Sequence, residues 1–392
     1  MRRPTLLAIA LLFAGPALAQ PPQRPAPMRF SAVVAEHFDA WDTDHNSILS
    51  PEEIDKLVVN PDIHGPSAAA LAAMKLVVRS NKIKPPELTR EFIASHSDDP
   101  AGSPIEEPTD STRAAKPPAS LQKRFESSLR RITTAKRELF TDETPDIDHC
   151  HQGPLGDCFV VAGIGAMVHR DNESVKKMIR STDNGGYSVE FAGGRSVTVP
   201  ALTDAQFALT STTGGDGYWI NILEKAYGSL RNSAKPQGKQ TEETTDAISR
   251  GGSLSTTLQA LTGHAIDRVT LRSRAAKSDD AAASIAANVR ERLSAAVKDK
   301  RLAGASTGKD TYPPGINGKH AYAILGFDAD SDKVRIWNPH GNTFRPKGEP
   351  GPEHGYPTKA GQFEMPVPEF VRIFNSLSIE TDRPVSARPA RS

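Results

Sequence analysis

Cysteine is scarce in this chain: two of 392 residues, Cys150 and Cys158. A fold stapled by disulfides uses more, so the core has to hold without covalent help. Net charge is nearly absent too, with 48 Lys and Arg against 47 Asp and Glu, or +1. That excludes the basic stripe of a nucleic-acid binder and the polybasic patch of a membrane-surface protein. After the N-terminal segment no run approaches the ~20 apolar residues of a membrane helix, so no membrane anchor is expected. Hydrophobic residues make up only 37%, aromatics 6%, and prolines number 31. Such a mixture puts part of the chain into linkers and concentrates core residues in the remainder.

What is present divides the chain into segments. Arg2 and Arg3, the apolar run from Leu6 to Phe13, and Ala17-Leu18-Ala19 before Gln20 follow the plan of a secretory signal peptide over residues 1–19. A secreted or periplasmic location follows, and with no Cys after the cleavage site no lipid anchor is expected. Phe30, Val33, Val34, His37, Phe38 and Trp41 recur at helical spacing and lead into DTDHNSILSPEE, residues 42–53. With an amphipathic stretch from Ala68 to Val78 and a third helix from Pro86 to about Ser95, residues 28–97 read as a small all-α domain. Residues 98–120 are rich in Pro, Ser, Asp and Glu and read as a linker. Leu121, Phe125, Leu129 and Ile132 mark a helix that opens a larger domain, 121–385. There helical signals at Cys158–His169, Trp219–Leu230, Leu254–Leu261 and Ala281–Val297 mix with strand signals at 187–200, AYAILGF and KVRIWNP. Helices first and strands concentrated later describe an α+β protein.

Chemistry concentrates in three places: QGPLGDCF from Gln152, GKHAY around His320, and WNPHG around Asn338. Gln, Cys, His and Asn are the four polar parts of a papain-type thiol hydrolase. Gly153 and Gly156 allow close backbone approach, and Cys158 falls at the first turn of a helix, where unsatisfied amides favour a thiolate. Val160 to Met167 is apolar almost all round, so that helix is expected to be buried. A free cysteine more often serves as a small buried hydrophobe, but that does not account for the Gln, Gly, Gly and Asp before it. A local disulfide between Cys150 and Cys158 would silence the thiol.

The peptide QGPLGDCFVVAGIGAM resembles the signature of the calpain family of cysteine proteases, as do YWINILEKAYGSL (218–230), GGSLSTTLQALTG (251–263) and GQFEMPVPEFVRIFNSLSI (361–379). The resemblance covers about residues 140–380. It implies a papain-like, two-lobed core in which Cys158 attacks the scissile carbonyl, His320 takes its proton and later protonates the leaving amine, and Asn338 orients the imidazole. Gln152 and the Cys158 amide would stabilise the oxyanion, a donor worth ~3 kcal/mol of barrier. The substrate implied is a protein or peptide, and the chain is assumed to act as a monomer. Three positions depart from the pattern: Phe159 follows the cysteine in place of Trp, His149 stands where animal calpains usually place a calcium-ligating Asp, and His340 replaces the Trp after Asn-Pro. The shield over the His–Asn bond is then expected from elsewhere, with Trp337 as the candidate.

The segment 42–53 carries its own pattern. Asp42, Asp44, Asn46, the carbonyl of Ile48, Ser50 and Glu53 occupy positions 1, 3, 5, 7, 9 and 12 of an EF-hand loop, whose hard oxygen donors suit Ca2+. Ser47 stands where the loop usually has Gly. Aligning Ile83 with Leu49 and Glu87 with Glu53 gives a second loop without carboxylates, a partner that packs but does not bind. At extracellular calcium levels a structural ion is expected rather than a switch. The sequence therefore reads as an exported calcium-binding cysteine endopeptidase; a catalytically weak or inactive calcium-binding scaffold, and acyl transfer on the same triad, are the competing readings.

Overall fold

The computed structural model describes residues 28–79, 86–98, 119–141, 144–271, 279–310 and 312–385. The expected signal peptide and most of the expected linker lie outside them, as does Ile83. Helix α1 (Phe30–Trp41) buries Phe30, Val33, Val34, Phe38 and Trp41, the residues its spacing assigned inward. Helix α2 (Pro51–Val58) begins with Pro51 after Ser50, whose side chain and Glu53 cap each other reciprocally. Helix α3 (Gly65–Val78) is alanine-rich and buried on most of its surface, so neighbours pack around all of it.

The third helix expected from Pro86 begins instead at Arg90, as α4 (Arg90–His96), with the Thr89 side chain accepting from the amide of Phe92. The residues before it are extended. Ile48 bridges Thr89, and Leu49 donates to the carbonyl of Leu88 at 3.2 Å. Leu88 therefore lies opposite Leu49, while Ile83, aligned with Leu49 from the sequence, lies outside the described residues.

Helix α5 (Leu121–Thr134) docks into the same core as α1 to α4, through Leu121, Phe125 and Ile132, and Ala205, Ala208 and Leu209 of a later helix join it. The N-terminal block thus shares one hydrophobic core with Leu121–Thr134 and with Ala205, Ala208 and Leu209 of the larger domain.

The central helix is α6 (Cys158–Arg170), in which every residue from Cys158 to Val168 is buried. It is followed by α7 (Glu173–Met178), a three-stranded antiparallel sheet of β1 (Ile179–Ser181), β2 (Tyr187–Phe191) and β3 (Arg195–Val199), then α8 (Asp204–Leu209), α9 (Trp219–Ser233) and α10 (Leu254–Thr262). The remaining strands are β4 (His264–Thr270), β5 (Ala303–Ser306), β6 (Ala321–Asp328), β7 (Lys333–Trp337), β8 (Gln362–Pro366) and β9 (Ser376–Pro384). They form one antiparallel sheet in the order β4-β9-β5-β6-β7-β8. Side chains alternate across it. Ala321, Ala323 and Leu325 of β6 face the core around α6, while Tyr322 and Ile324 face a second core shared with α11 (Asp279–Lys298) and α12 (Val367–Ile373).

Helix α6 lies mainly on β6 and β5, and it also meets the end of β7 closely. A Cβ at Gly165 would overlap the six-membered ring of Trp337, the last residue of β7. No larger residue fits without moving the indole, which is itself fully buried and donates Nε1–H to Ala360 at 3.1 Å. Gly165→Ala should therefore lower the unfolding free energy by about 1–3 kcal/mol through overpacking. Denaturant titration measures this, and an unchanged midpoint would mean that the contact is not tight.

Candidate active site

The turn Gln152–Asp157 is laid over two other loops. His151 and Thr212 exchange backbone hydrogen bonds of 2.8 and 2.9 Å, Gly156 donates to Ser249 at 3.0 Å, and Gly251 returns a bond to Gly156 at 2.9 Å. Gly153 passes so close to the Thr210 carbonyl that a Cβ there would overlap it. From the other side Gln152 donates its amide to Pro339 at 2.8 Å, which ties this turn to the loop after β7.

The turn delivers Cys158 to the N-terminus of α6, 9% exposed. Burial pushes its thiol up to about 11, against amide hydrogens of Ala321, Phe159 and Cys158 itself that point at the sulfur. Ala321 begins β6, so the sulfur sits beside the residue that follows His320. Both cysteines are free thiols, and Cys150 points its own toward the Asp146 carbonyl at 3.2 Å.

His320 and Asn338 meet because β6 and β7 are antiparallel neighbours: one residue precedes β6, the other follows β7. The His320 Nε2 to Asn338 Oδ1 distance is 2.9 Å. Since that oxygen can only accept, Nε2 carries the proton and Nδ1 is left as the basic nitrogen. Asn338 is fixed in turn, its amide donating to Asn317 Oδ1 at 3.1 Å and its oxygen accepting from the His340 backbone at 3.1 Å. Burial, and then the neighbouring His340, hold the His320 imidazole down at about 3. Its ring is sandwiched between Tyr322, edge-on at 4.9 Å, and His340, tilted at 4.4 Å. The shield expected from Trp337 is thus supplied by His340 itself, because Trp337 is committed to α6.

Gln152 lies in the same turn, yet its side chain points inward. Nε2 donates to the Leu155 carbonyl at 2.8 Å and to Asp157 Oδ1 at 3.2 Å, so both its amide hydrogens have acceptors. Sequence reasoning missed those partners. Asp157 precedes α6 without capping it, and its fully buried carboxyl faces that of Glu224 on α9. The signal was present: Ile220, Glu224 and Tyr227 share one helical face, which places a carboxylate among core residues.

The calcium-type loop forms a separate site. Oxygens of Asp42, Asp44 and Glu53 lie within 4.8 Å of one another, the only such group of His, Cys, Asp or Glu among the described residues. Asp42 accepts from the amides of Asn46 and Ser47, and Asn46 Oδ1 from that of Ile48 at 2.8 Å. Ser50 donates N–H and Oγ–H to Glu53 Oε2 at 3.0 and 2.9 Å. Burial raises the Glu53 carboxyl, but hydrogen bonds from Ser50 and Thr43 outweigh it and hold the group at about 2. His45 and Ser47 take left-handed backbone, φ 56° and 66°, so Ser47 performs the turn expected of a glycine. An oxygen-only set on such a loop fits a calcium ion. The position of His149 does not: its Nδ1 bonds buried Asp216 at 2.8 Å.

A family model described as calpain family cysteine protease matches residues 117–349, more than half of the chain. The chain belongs to the calpain family of cysteine proteases. The Calpain-type cysteine protease DEK1 of Zea mays is 27% identical over 269 residues, which are 62% of this chain and 12% of that protein. This chain therefore spans a small part of that relative's length. The calpain match begins upstream of the expected 140, taking in α5, and ends before the 361–379 segment. The mixed α/β architecture is consistent with a calpain protease core.

With the thiol held up at about 11 and the imidazole down at about 3 the resting pair is neutral, so the alkylation rate of Cys158 by iodoacetamide should climb about tenfold per pH unit between about pH 5 and 9. A rate that stays flat across that range would mean instead that Cys158 and His320 rest as an ion pair.

Proposed function

We propose that this calpain-family chain is an exported cysteine endopeptidase that hydrolyses peptide bonds in protein or peptide substrates through Cys158, His320 and Asn338. The observation that carries the reading is the orientation of His320. With Nε2–H bound to Asn338 Oδ1, Nδ1 is the nitrogen available to accept the thiol proton. Cys158 Sγ attacks the scissile carbonyl as its proton passes to Nδ1, and the imidazolium then protonates the leaving amine. Water, deprotonated by the same nitrogen, resolves the acyl-enzyme. The amide of Cys158 and the side chain of Gln152 are the oxyanion donors in this account. Gln152 has to turn the N–H it gives the Leu155 carbonyl toward the substrate while keeping the one on Asp157, so the geometry described here is a resting form of a papain-like, two-lobed core.

The leader at residues 1–19 supports a secreted or periplasmic location, with 28–97 as an EF-hand-like domain, 98–120 as linker and 121–385 as protease domain. Asp42, Asp44, Asn46, Ile48, Ser50 and Glu53 would hold Ca2+, which when bound supplies positive charge that cross-links the start and end of the loop. Its role is structural, holding α1 and α2 at a fixed angle. The buried thiol and inward Gln152 favour one alternative, a calcium-binding scaffold on a protease fold.

The reduced mature protein should degrade an unfolded protein substrate, and Cys158→Ala should lose at least a thousandfold of that rate. Equal cleavage by the two would leave the scaffold reading. Asp42→Ala with Glu53→Ala should abolish calcium binding in a titration and lower the melting temperature in calcium; unchanged binding would remove the loop from the account.

A further inference from the structure

Two carboxyl groups meet beneath the nucleophile, and neither is exposed: Asp157 and Glu224 are both 0% accessible. Glu224 is clamped by Ser211, which gives it a backbone N–H at 2.8 Å and its hydroxyl at 2.7 Å. The same hydroxyl accepts from the amide of Gly153 at 3.3 Å. On the Asp157 side, Oδ1 accepts from Gln152 Nε2, whereas no N–H or O–H group of the described residues donates to Oδ2. The Asp157 carboxyl faces Glu224, and two carboxylates can be joined there only through a proton. Burial raises both groups, Glu224 well above the ordinary range, as expected if the pair keeps one proton and one negative charge. Arg79, reaching from the end of α3, faces that charge while paired with Asp246 at 2.6 Å.

We propose that Glu224 is a positioning residue for the oxyanion side of the site: by sharing one proton with Asp157 it fixes the carboxyl that orients the Gln152 amide. The inference rests on the role proposed for Gln152. The proton stays within the pair throughout, so no group is consumed or released. Glu224 touches neither the thiol nor a substrate. Its influence runs through Asp157 to Nε2 and through Ser211 to Gly153, two routes that converge on the same turn.

The test is a double-mutant cycle on peptide hydrolysis by the full chain, with Glu224→Ala, Glu224→Gln and Gln152→Ala alone and combined, each checked for native thermal unfolding. Glu224→Ala should reduce kcat by about tenfold with KM within about twofold, and in the Gln152→Ala background it should cost nothing further. Glu224→Gln can donate an amide hydrogen to Asp157 Oδ2 without a titrating proton, and should recover most of the rate. If Glu224→Ala fails to fold, Glu224→Leu, which fills the same space without a donor, takes its place in the cycle. An equal loss in both backgrounds, or no recovery by glutamine, would overturn the inference while leaving the peptidase reading intact. Hydrolysis unaffected by Cys158→Ala would remove both together.

Discussion

The packing of helix α6 on the sheet is the constraint from which the site follows. The helix lies on β6 and β5 and comes close enough to β7 for a glycine to touch an indole ring. That seating fixes Cys158, two turns back along the helix, relative to Asn338, the residue after Trp337. The antiparallel pairing of β6 and β7 then brings His320 to the same end of the sheet. One helix–sheet interface and one hairpin thus bring together residues separated by 180 positions in the chain.

Around that frame, charge is either excluded or paired. Burial holds Cys158 and His320 in their neutral forms, the thiol pushed up and the imidazole down. The carboxyls beneath them share a proton. At the boundary with the N-terminal helices, buried Lys75 binds both Asp55 of α2 and Asp246, the latter at 2.7 Å. Asp246 in turn accepts from Ser249 through its backbone, and Ser249 holds Gly156. The calcium-type loop and the nucleophile turn are therefore joined by a short run of ion pairs and hydrogen bonds, since a buried charge is tolerated only with a partner.

Much of this was legible in the sequence. Apolar periodicity marked α1, α3, α5 and α6, and alternating or continuous β-branched runs marked β2, β3, β6 and β7, because in each the buried face is written in residue type. Strand β5 was not, since Ala303-Gly304-Ala305-Ser306 holds only small residues, and its place between β9 and β6 is set by pairing. The start of α4 was misread because Leu88 and Thr89 look helical in composition but are drawn into a bridge with the first loop. The four polar site residues were visible as types in order. The inward turn of Gln152, the Asp157–Glu224 pair and the stacking of His340 on His320 were not, because each depends on groups far apart in sequence meeting in a buried space.

The central claim is that Cys158 forms the covalent intermediate. The most direct measurement is acid quenching of the reduced protein during turnover of an activated peptide ester, followed by peptide mapping of the acylated residue by mass spectrometry. The account predicts an acyl thioester on Cys158, absent in His320→Ala at equal substrate. An acyl group on Cys150, or turnover with no acylated cysteine trapped at any time, would contradict it.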